Sequence, residues 1–372
     1  MRKLYTIVLA LFVCCTIAFA SGATEKTTSI SEKVDGIRSV VLVVPSNLGD
    51  KGFSDLAYSG LLLSEQELGI KTRVVELAGD TTKQIPILRE FAEDPDWDLI
   101  VSGTYSMNEA ISTVAAEYPE KKFLVYDTAI NYADGIHKNC FSFEHRAYES
   151  SFLAGALAAS LTNKGLPNAN AEKIVGFVGG MENASISDFL IGYIQGVQYI
   201  DPECKVLVSY VGSFTDTATA KEMTIAQCNK GADIVFAVAG GSSLGVLDGA
   251  AEKNVYSIGV DQDQYLALVD NNPKVASNIV TSVIKRLDVT IARMIAKACE
   301  GTLEWGTHVK VGLAEDSIGL ANNEHYLEIV PEEVRNSIDI LESKITDGSI
   351  VVETAIGMTT EQINAYKTKV AL

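Results

Sequence analysis

Asp127 follows the run Lys122-Phe-Leu-Val-Tyr126 and Asp261 follows Tyr256-Ser-Ile-Gly-Val260, so two carboxylates end similar segments 134 residues apart. A carboxylate accepts two hydrogen bonds, which suits it to a vicinal diol or to the N–H edge of a purine. An aspartate at a strand end serves equally as a turn or helix cap, so the pair needs neighbours before it counts as a site. Phe53 and Phe189 are candidates. Their rings could sandwich a planar group, a contact that contributes about 1–3 kcal/mol per stacked base, or they could simply belong to cores. Asp50 and Ser54, in the stretch 46–55, and Gly240 and Gly241 complete the set, the glycines because bare backbone lets a ligand approach closely.

Other chemistries find little support. Neither Gly179-Gly180 nor Gly240-Gly241 belongs to a G-x-G-x-x-G, and no Walker motif occurs, so no nucleotide cofactor is expected. Cys140, Cys204, Cys228 and Cys299 show no C-x-x-C spacing; disulfides among them stay open, with plain core packing the simpler expectation. His137, His145, His308 and His325 are scattered without metal-ligand spacing. A hydrolase would need an acid, a base and a positioned water. Asp127 and Asp261 could be cast in those roles, but they fall in different halves of the chain, and no Ser-His or Cys-His arrangement accompanies them.

The elements that must position these residues occur in two similar series. Strands are predicted at 39–45, 72–77, 98–102 and 122–127, with helices at 55–68, 81–94 and 107–118 between them. The series restarts with strands at 173–178, 205–211, 233–238 and 255–261 and helices at 188–199, 217–229 and 243–253. Strand–helix alternation implies parallel strands flanked by crossover helices, and ligands of such sheets sit beyond the carboxyl ends of the strands. The rest is predicted as a strand at 275–280, a helix at 281–300, a strand at 308–313, a helix at 331–345 and a strand at 349–354. These pieces would complete both sheets if the chain crossed between lobes near 146, 267 and 305. The expected fold is α/β: two doubly wound parallel-sheet lobes joined by a multi-strand hinge, one formed by 38–146 and 268–304, the other by 147–267 and 305–365. Several hinge strands describe a clamshell that closes on a ligand.

Arg2 and Lys3, the apolar run 4–12 and Ala18-Phe-Ala20 read as a cleavable secretion signal over 1–20. The alternative is lipid attachment at Cys14 or Cys15. Residues 21–37 read as a flexible linker. Loss of the leader would move the net charge from -18 to -20, an acidity that disfavours nucleic acid and anionic lipid as partners.

Six stretches carry a resemblance. They are Asp50-Lys-Gly-Phe-Ser-Asp-Leu-Ala-Tyr-Ser-Gly60, Ser151-Phe-Leu-Ala-Gly-Ala156, Val175-Gly-Phe-Val-Gly-Gly180, Phe236-Ala-Val-Ala-Gly-Gly241, Ile258-Gly-Val-Asp-Gln-Asp-Gln264 and Thr281-Ser-Val-Ile-Lys-Arg286. In this order the chain resembles the basic membrane protein family of substrate-binding proteins. The resemblance implies a type I periplasmic binding protein fold, export to the periplasm, and delivery of a captured solute to an ABC permease by a monomeric receptor. For the family's nucleoside-binding members it implies aromatics on the base (Phe53 and Phe189), an aspartate on the base edge (Asp127), and an aspartate and a lysine on the ribose (Asp261 and Lys285). The implied ligand is a purine nucleoside such as adenosine, guanosine or inosine, with a sugar, a flavin or another small signal molecule as the alternative.

Overall fold

In the computed structural model of this protein, which describes residues 36–372 apart from 51 and 163, the apolar run Ser39–Val44 is a strand buried along its whole length. Val40, Leu42 and Val44 face one core and Val41 and Val43 another, the two-residue period of a strand covered on both sides. The secretion signal read over 1–20, and nearly all of the linker after it, lie outside the described residues.

The first series comprises β1 (Ser39–Val44), α1 (Phe53–Leu68), β2 (Lys71–Glu76), α2 (Gln84–Glu93), β3 (Leu99–Gly103), α3 (Asn108–Glu117), β4 (Lys122–Tyr126) and β5 (Cys140–His145). The second comprises α4 (Ala147–Leu161), β6 (Ile174–Gly179), α5 (Ala184–Ile200), β7 (Lys205–Tyr210), α6 (Thr217–Cys228), β8 (Ile234–Val238), α7 (Ser243–Lys253) and β9 (Tyr256–Asp261). The remainder starts with α8 (Gln264–Leu268), α9 (Pro273–Ala276), β10 (Ile279–Lys285), α10 (Leu287–Cys299), β11 (Thr307–Val311) and β12 (Ile318–Leu320). It ends with α11 (Glu324–Ile329), α12 (Glu332–Thr346) and α13 (Thr360–Lys369).

Two six-stranded sheets result, ordered β11-β5-β4-β3-β1-β2 and β12-β10-β9-β8-β6-β7. All pairings are parallel except β10 with β12. Each sheet is covered on both faces. Side chains of α1 and α10 share a core with one face of the first sheet, and those of α2 and α3 with the other. The architecture is the expected doubly wound pair of lobes.

The sheet assignments correct the expected crossings at 267 and 305. The segment 281–300, expected as one helix, is split: β10 runs to Lys285 and α10 begins at Leu287. The β-branched density of Ile279, Val280, Thr281, Val283 and Ile284 explains the strand. β10 pairs with β9 and so belongs to the second sheet, while α10 packs on α1; the chain therefore crosses at Arg286. β11 pairs with β5 in the first sheet and β12 with β10 in the second, so the last crossing follows Val311. The strand expected at 275–280 is replaced at its start by α9, and no strand forms at 349–354. The crossing segments lie side by side: Arg146 N–H donates to Val311 C=O at 2.8 Å and Arg286 N–H to Ser317 C=O at 2.9 Å. His308 of β11 adds a lateral tie, with Nδ1 2.9 Å from Ser142 Oγ and Nε2 3.1 Å from Glu144 Oε2.

The second lobe is built around α4 and α5, whose backbones touch through glycines. A β-carbon at Gly196 would lie 1.9 Å from the Phe152 carbonyl oxygen, and one at Gly155 would lie 2.1 Å from that of Tyr193. Both neighbours are backbone and cannot swing away. Gly196→Ala is accordingly expected to destabilise the protein by about 3 kcal/mol, at the upper end of overpacking costs. Urea unfolding monitored by circular dichroism reads this directly, and an unchanged midpoint would contradict the packing described.

Candidate ligand-binding site

Asp127 and Asp261 each follow or end a strand in left-handed backbone, with φ of 56° and 69°. Aspartate tolerates this region better than most residues, and the matched conformation at matched places repeats the internal duplication at the level of single dihedrals. In both lobes it turns the chain at the carboxyl edge of the sheet.

From the first lobe come Asp50, Gly52, Phe53 and Asp127. Asp50 stands before α1 and gives its carboxylate to backbone: Oδ1 accepts from Gly52 N–H at 3.0 Å and Asp55 N–H at 3.2 Å, and Oδ2 accepts from Ser54 N–H at 2.8 Å. It caps the helix, as short acidic side chains do, and so fixes Phe53 in the first turn. Ser54 is buried, with its hydroxyl 2.7 Å from that of Ser46. These two candidates shape the loop. The half-buried Phe53 ring lies 5.9 Å from the ring of Tyr126, the residue before Asp127.

From the second lobe come Asp261 and Lys285. Lys285 is 4% exposed and ends β10 with its ammonium paired to the Asp127 carboxylate of the first lobe. The same ammonium sits 4.9 Å from the centre of the Phe53 ring, within cation–π range. Asp261 is 8% exposed. A β-carbon at Gly52 would lie 3.7 Å from its Oδ2, which places this second-lobe carboxylate against the start of α1. Burial pushes the Asp261 carboxyl up to about 7; Lys285 pulls it down, while Asp50 and Asp127 push it up. Tyr126 feels the same field: burial and the carboxylates of Asp127 and Asp50 raise its phenol. Three carboxylates, one ammonium and one aromatic ring thus meet where the two sheets face each other. Such a group offers acceptors for hydroxyls and amines and a platform for a ring.

Phe189 is elsewhere. It is 5% exposed in the second-lobe core, and its ring partner among the described residues is Phe236, at 6.3 Å. Helix α5 begins at Ala184, capped by Asn183 Oδ1 on Ile186 N–H at 3.0 Å, which carries Phe189 into the second turn and inward. The expected sandwich between Phe53 and Phe189 is therefore corrected. An aromatic that does lie at the carboxyl edge of the second sheet is Phe214, in the loop after β7. A β-carbon at Gly180 would lie 2.4 Å from Phe214 Cδ1, one at Gly240 3.3 Å from its Cβ, and one at Gly241 3.1 Å from its carbonyl oxygen. The glycines of the two site loops form a shelf for this half-buried ring, which explains Gly240 and Gly241 by an aromatic neighbour. Sequence reasoning missed Phe214, although Ser213-Phe214-Thr215-Asp216 occupies a loop at the correct edge and Asp216 visibly caps α6.

Among the described residues, Cys140, Cys204, Cys228 and Cys299 are free, and no helix is long and apolar enough to cross a membrane.

Basic membrane protein D of Borreliella burgdorferi is 28% identical, with 95% of each chain covered. The ABC transporter nucleoside-binding protein BmpA of Lactococcus lactis subsp. cremoris is 28% identical over 93% of this chain and 99% of that one. Among solved structures, an ABC transporter solute-binding protein from Aeropyrum pernix superposes with a TM-score of 0.77 at 24% identity, covering 90% of this chain and 99% of that one; that likeness speaks to the fold. Residues 37–354 match the Bmp family, described as ABC transporter substrate-binding protein, PnrA-like. With most of its length matched and its two lobes meeting at a polar, aromatic-lined site, the chain belongs to the Bmp family of substrate-binding proteins.

Proposed function

We propose that this protein captures a purine nucleoside between its lobes, outside the cytoplasm, and presents the closed complex to an ABC permease without altering the ligand. The observation that carries the reading is the convergence of Asp127, Asp261, Lys285 and Phe53 from two sheets on one place. The name of the Lactococcus relative, a nucleoside-binding protein of an ABC transporter, supports it.

In this reading the ligand replaces the Lys285–Asp127 pair. Asp127 turns to the N–H edge of the base, and Lys285 moves onto a ribose oxygen while staying close to Asp261, which accepts from the two ribose hydroxyls. Phe53 and Phe214 take the faces of the base. The base lies between Phe53 and Asp127 of the first lobe and Phe214 of the second, and the ribose falls to Asp261 and Lys285 of the second, so affinity requires closure, and closure at the three side-by-side crossings is the signal a permease reads. A monomer suffices for this task. Phe214→Ala and Phe53→Ala are each expected to weaken nucleoside binding by about 10- to 100-fold, the loss of one stacking face, whereas Phe189→Leu should change affinity less than 3-fold. Calorimetric titration separates these outcomes.

The decisive test is native mass spectrometry of the purified protein, followed by release and identification of any bound small molecule. A purine nucleoside at near-stoichiometric amount supports the reading, as does a rise in melting temperature with added adenosine, guanosine or inosine. A released sugar or flavin overturns the nucleoside assignment and keeps the receptor. Free base accumulating on incubation with nucleoside overturns the receptor role itself.

A further inference from the structure

We infer that the carboxyl-terminal helix α13 is a clamp on the second wall of the ligand site, with Lys367 as its positioning residue. The inference rests on the site described above; α13 itself lies beyond the residues matched to the family. Its start is locally specified by a reciprocal capping box, Thr359 Oγ1 accepting from Gln362 N–H and Gln362 Oε1 accepting from Thr359 N–H. From there the helix runs to the edge strand β7, where Val206 N–H donates to Val370 C=O at 3.0 Å.

Lys367, in the last turn, reaches the loop between β6 and α5. Its ammonium pairs with Glu182 and lies 4.9 Å from the centre of the Tyr210 ring. Tyr210 in turn packs on the end of β6: a β-carbon at Gly179 would lie 2.8 Å from its Cδ1. One side chain thus grips both the carboxyl end of β7 and the loop that begins at Gly180, the glycine on which Phe214 rests. The segment before α13 is sewn to α5 at two further points. Asp188 Oδ1 accepts from Ala355 N–H at 2.8 Å, and the Gln195 amide pairs with the Glu353 backbone, donating at 2.9 Å and accepting at 3.0 Å. The loop also carries Asn183, whose Oδ1 caps α5 while its buried Nδ2 has no partner among the described residues. Held on both sides, the loop presents Gly180, and through it Phe214, in one position.

Lys367→Met keeps the aliphatic stem and removes the charge, and Glu182→Gln removes the other half of the pair. Two readouts are taken on each variant and on the double variant: amide hydrogen exchange at residues 181–184, and the dissociation constant for inosine. Both single variants should speed exchange in that loop while leaving the β1 amides unchanged. Each should weaken inosine about 5-fold, as expected for a partly exposed ion pair with a cation–π contact, and the double variant should be no worse than Lys367→Met alone. Unchanged loop exchange in both variants overturns the clamp. Faster exchange with unaltered inosine affinity overturns its role in the site. If the unmodified protein binds no inosine, adenosine or guanosine, the nucleoside reading fails, and the exchange result still decides whether the clamp exists.

Discussion

Asp261→Asn should abolish most nucleoside affinity and at the same time make the empty protein more stable. In the proposed complex Asp261 makes two charge-assisted hydrogen bonds to ribose hydroxyls, each contributing about 1.5–3 kcal/mol, and a weakening of about 100-fold is the expected result by calorimetry. The stability gain follows from the raised carboxyl. Folding lifts Asp261 from an ordinary value of 3.8 to about 7, so between those pH values the folded state holds a proton that the unfolded state has released. Stability then falls as pH rises through this window and stays low above it. Asparagine carries no such charge. At pH 8 the variant should therefore be more stable by on the order of 3 kcal/mol, and at pH 4 the two proteins should unfold alike. The same carboxyl makes binding depend on pH. If the ionised form takes both hydroxyls, affinity should fall roughly 10-fold per unit below pH 7 in the unmodified protein and stay flat in the variant. A variant that binds normally, or that is less stable at pH 8, would show that Asp261 has been given the wrong role.

Lys285→Met removes the ammonium that faces Asp127, Asp261 and the Phe53 ring. Breaking a buried pair from one side is costly, typically 3–5 kcal/mol, because the remaining charge is left unpaired. Here the remainder is worse than a single charge, since Asp50, Asp127 and Asp261 share one field. The variant should lose about 4 kcal/mol of stability at pH 8 and recover part of it at pH 5, where the buried Asp261 carboxyl can take up a proton. Urea titrations at the two pH values test this, and equal losses at both would exclude carboxylate repulsion as the cause. Nucleoside binding should weaken at either pH, because in the proposed complex Asp261 would hold the ribose without its lysine partner. The pair of variants is diagnostic: removing the carboxylate stabilises the empty protein, and removing the ammonium destabilises it.

The sequence was most readable where short apolar runs stand between clear turns. β1, β3, β6 and β8 are such runs, and Asp80 and Asp216 cap where the helices expected at 81 and 217 begin. Asp127 and Asp261 stood out because the duplication put them in register. Helix α4 went unread because nearly all of its side chains are buried, and a helix apolar on every face has no period to detect. β5 escaped because Cys140–His145 mixes polar and aromatic residues on a strand that is buried almost throughout. The segment 279–285 shows that β-branched content should outweigh an apparent helical continuation, and misreading it moved the crossing expected at 267. Lys285 could not be found from spacing at all; as a lysine it looks like surface, and only pairing with Asp127 explains its burial. Phe189 and Phe214 exchange roles because a four-residue shift in the start of α5 turns one ring into the core, leaving the loop ring at the sheet edge.

The three side-by-side crossings also bear on how this chain comes to be folded. Neither lobe is a contiguous stretch of sequence. The first sheet lacks its edge strand until β11 reaches β5, a pairing that brings together residues such as Ser142 and His308, 166 positions apart, and its covering helix α10 arrives only shortly before. The second sheet waits for β10 and β12. Both are completed within a few residues of each other, late in synthesis, so there is no early folded half to precede the other. Pairings this distant in sequence form slowly. A polypeptide with this topology is expected to acquire its two lobes almost together, once its last third is free.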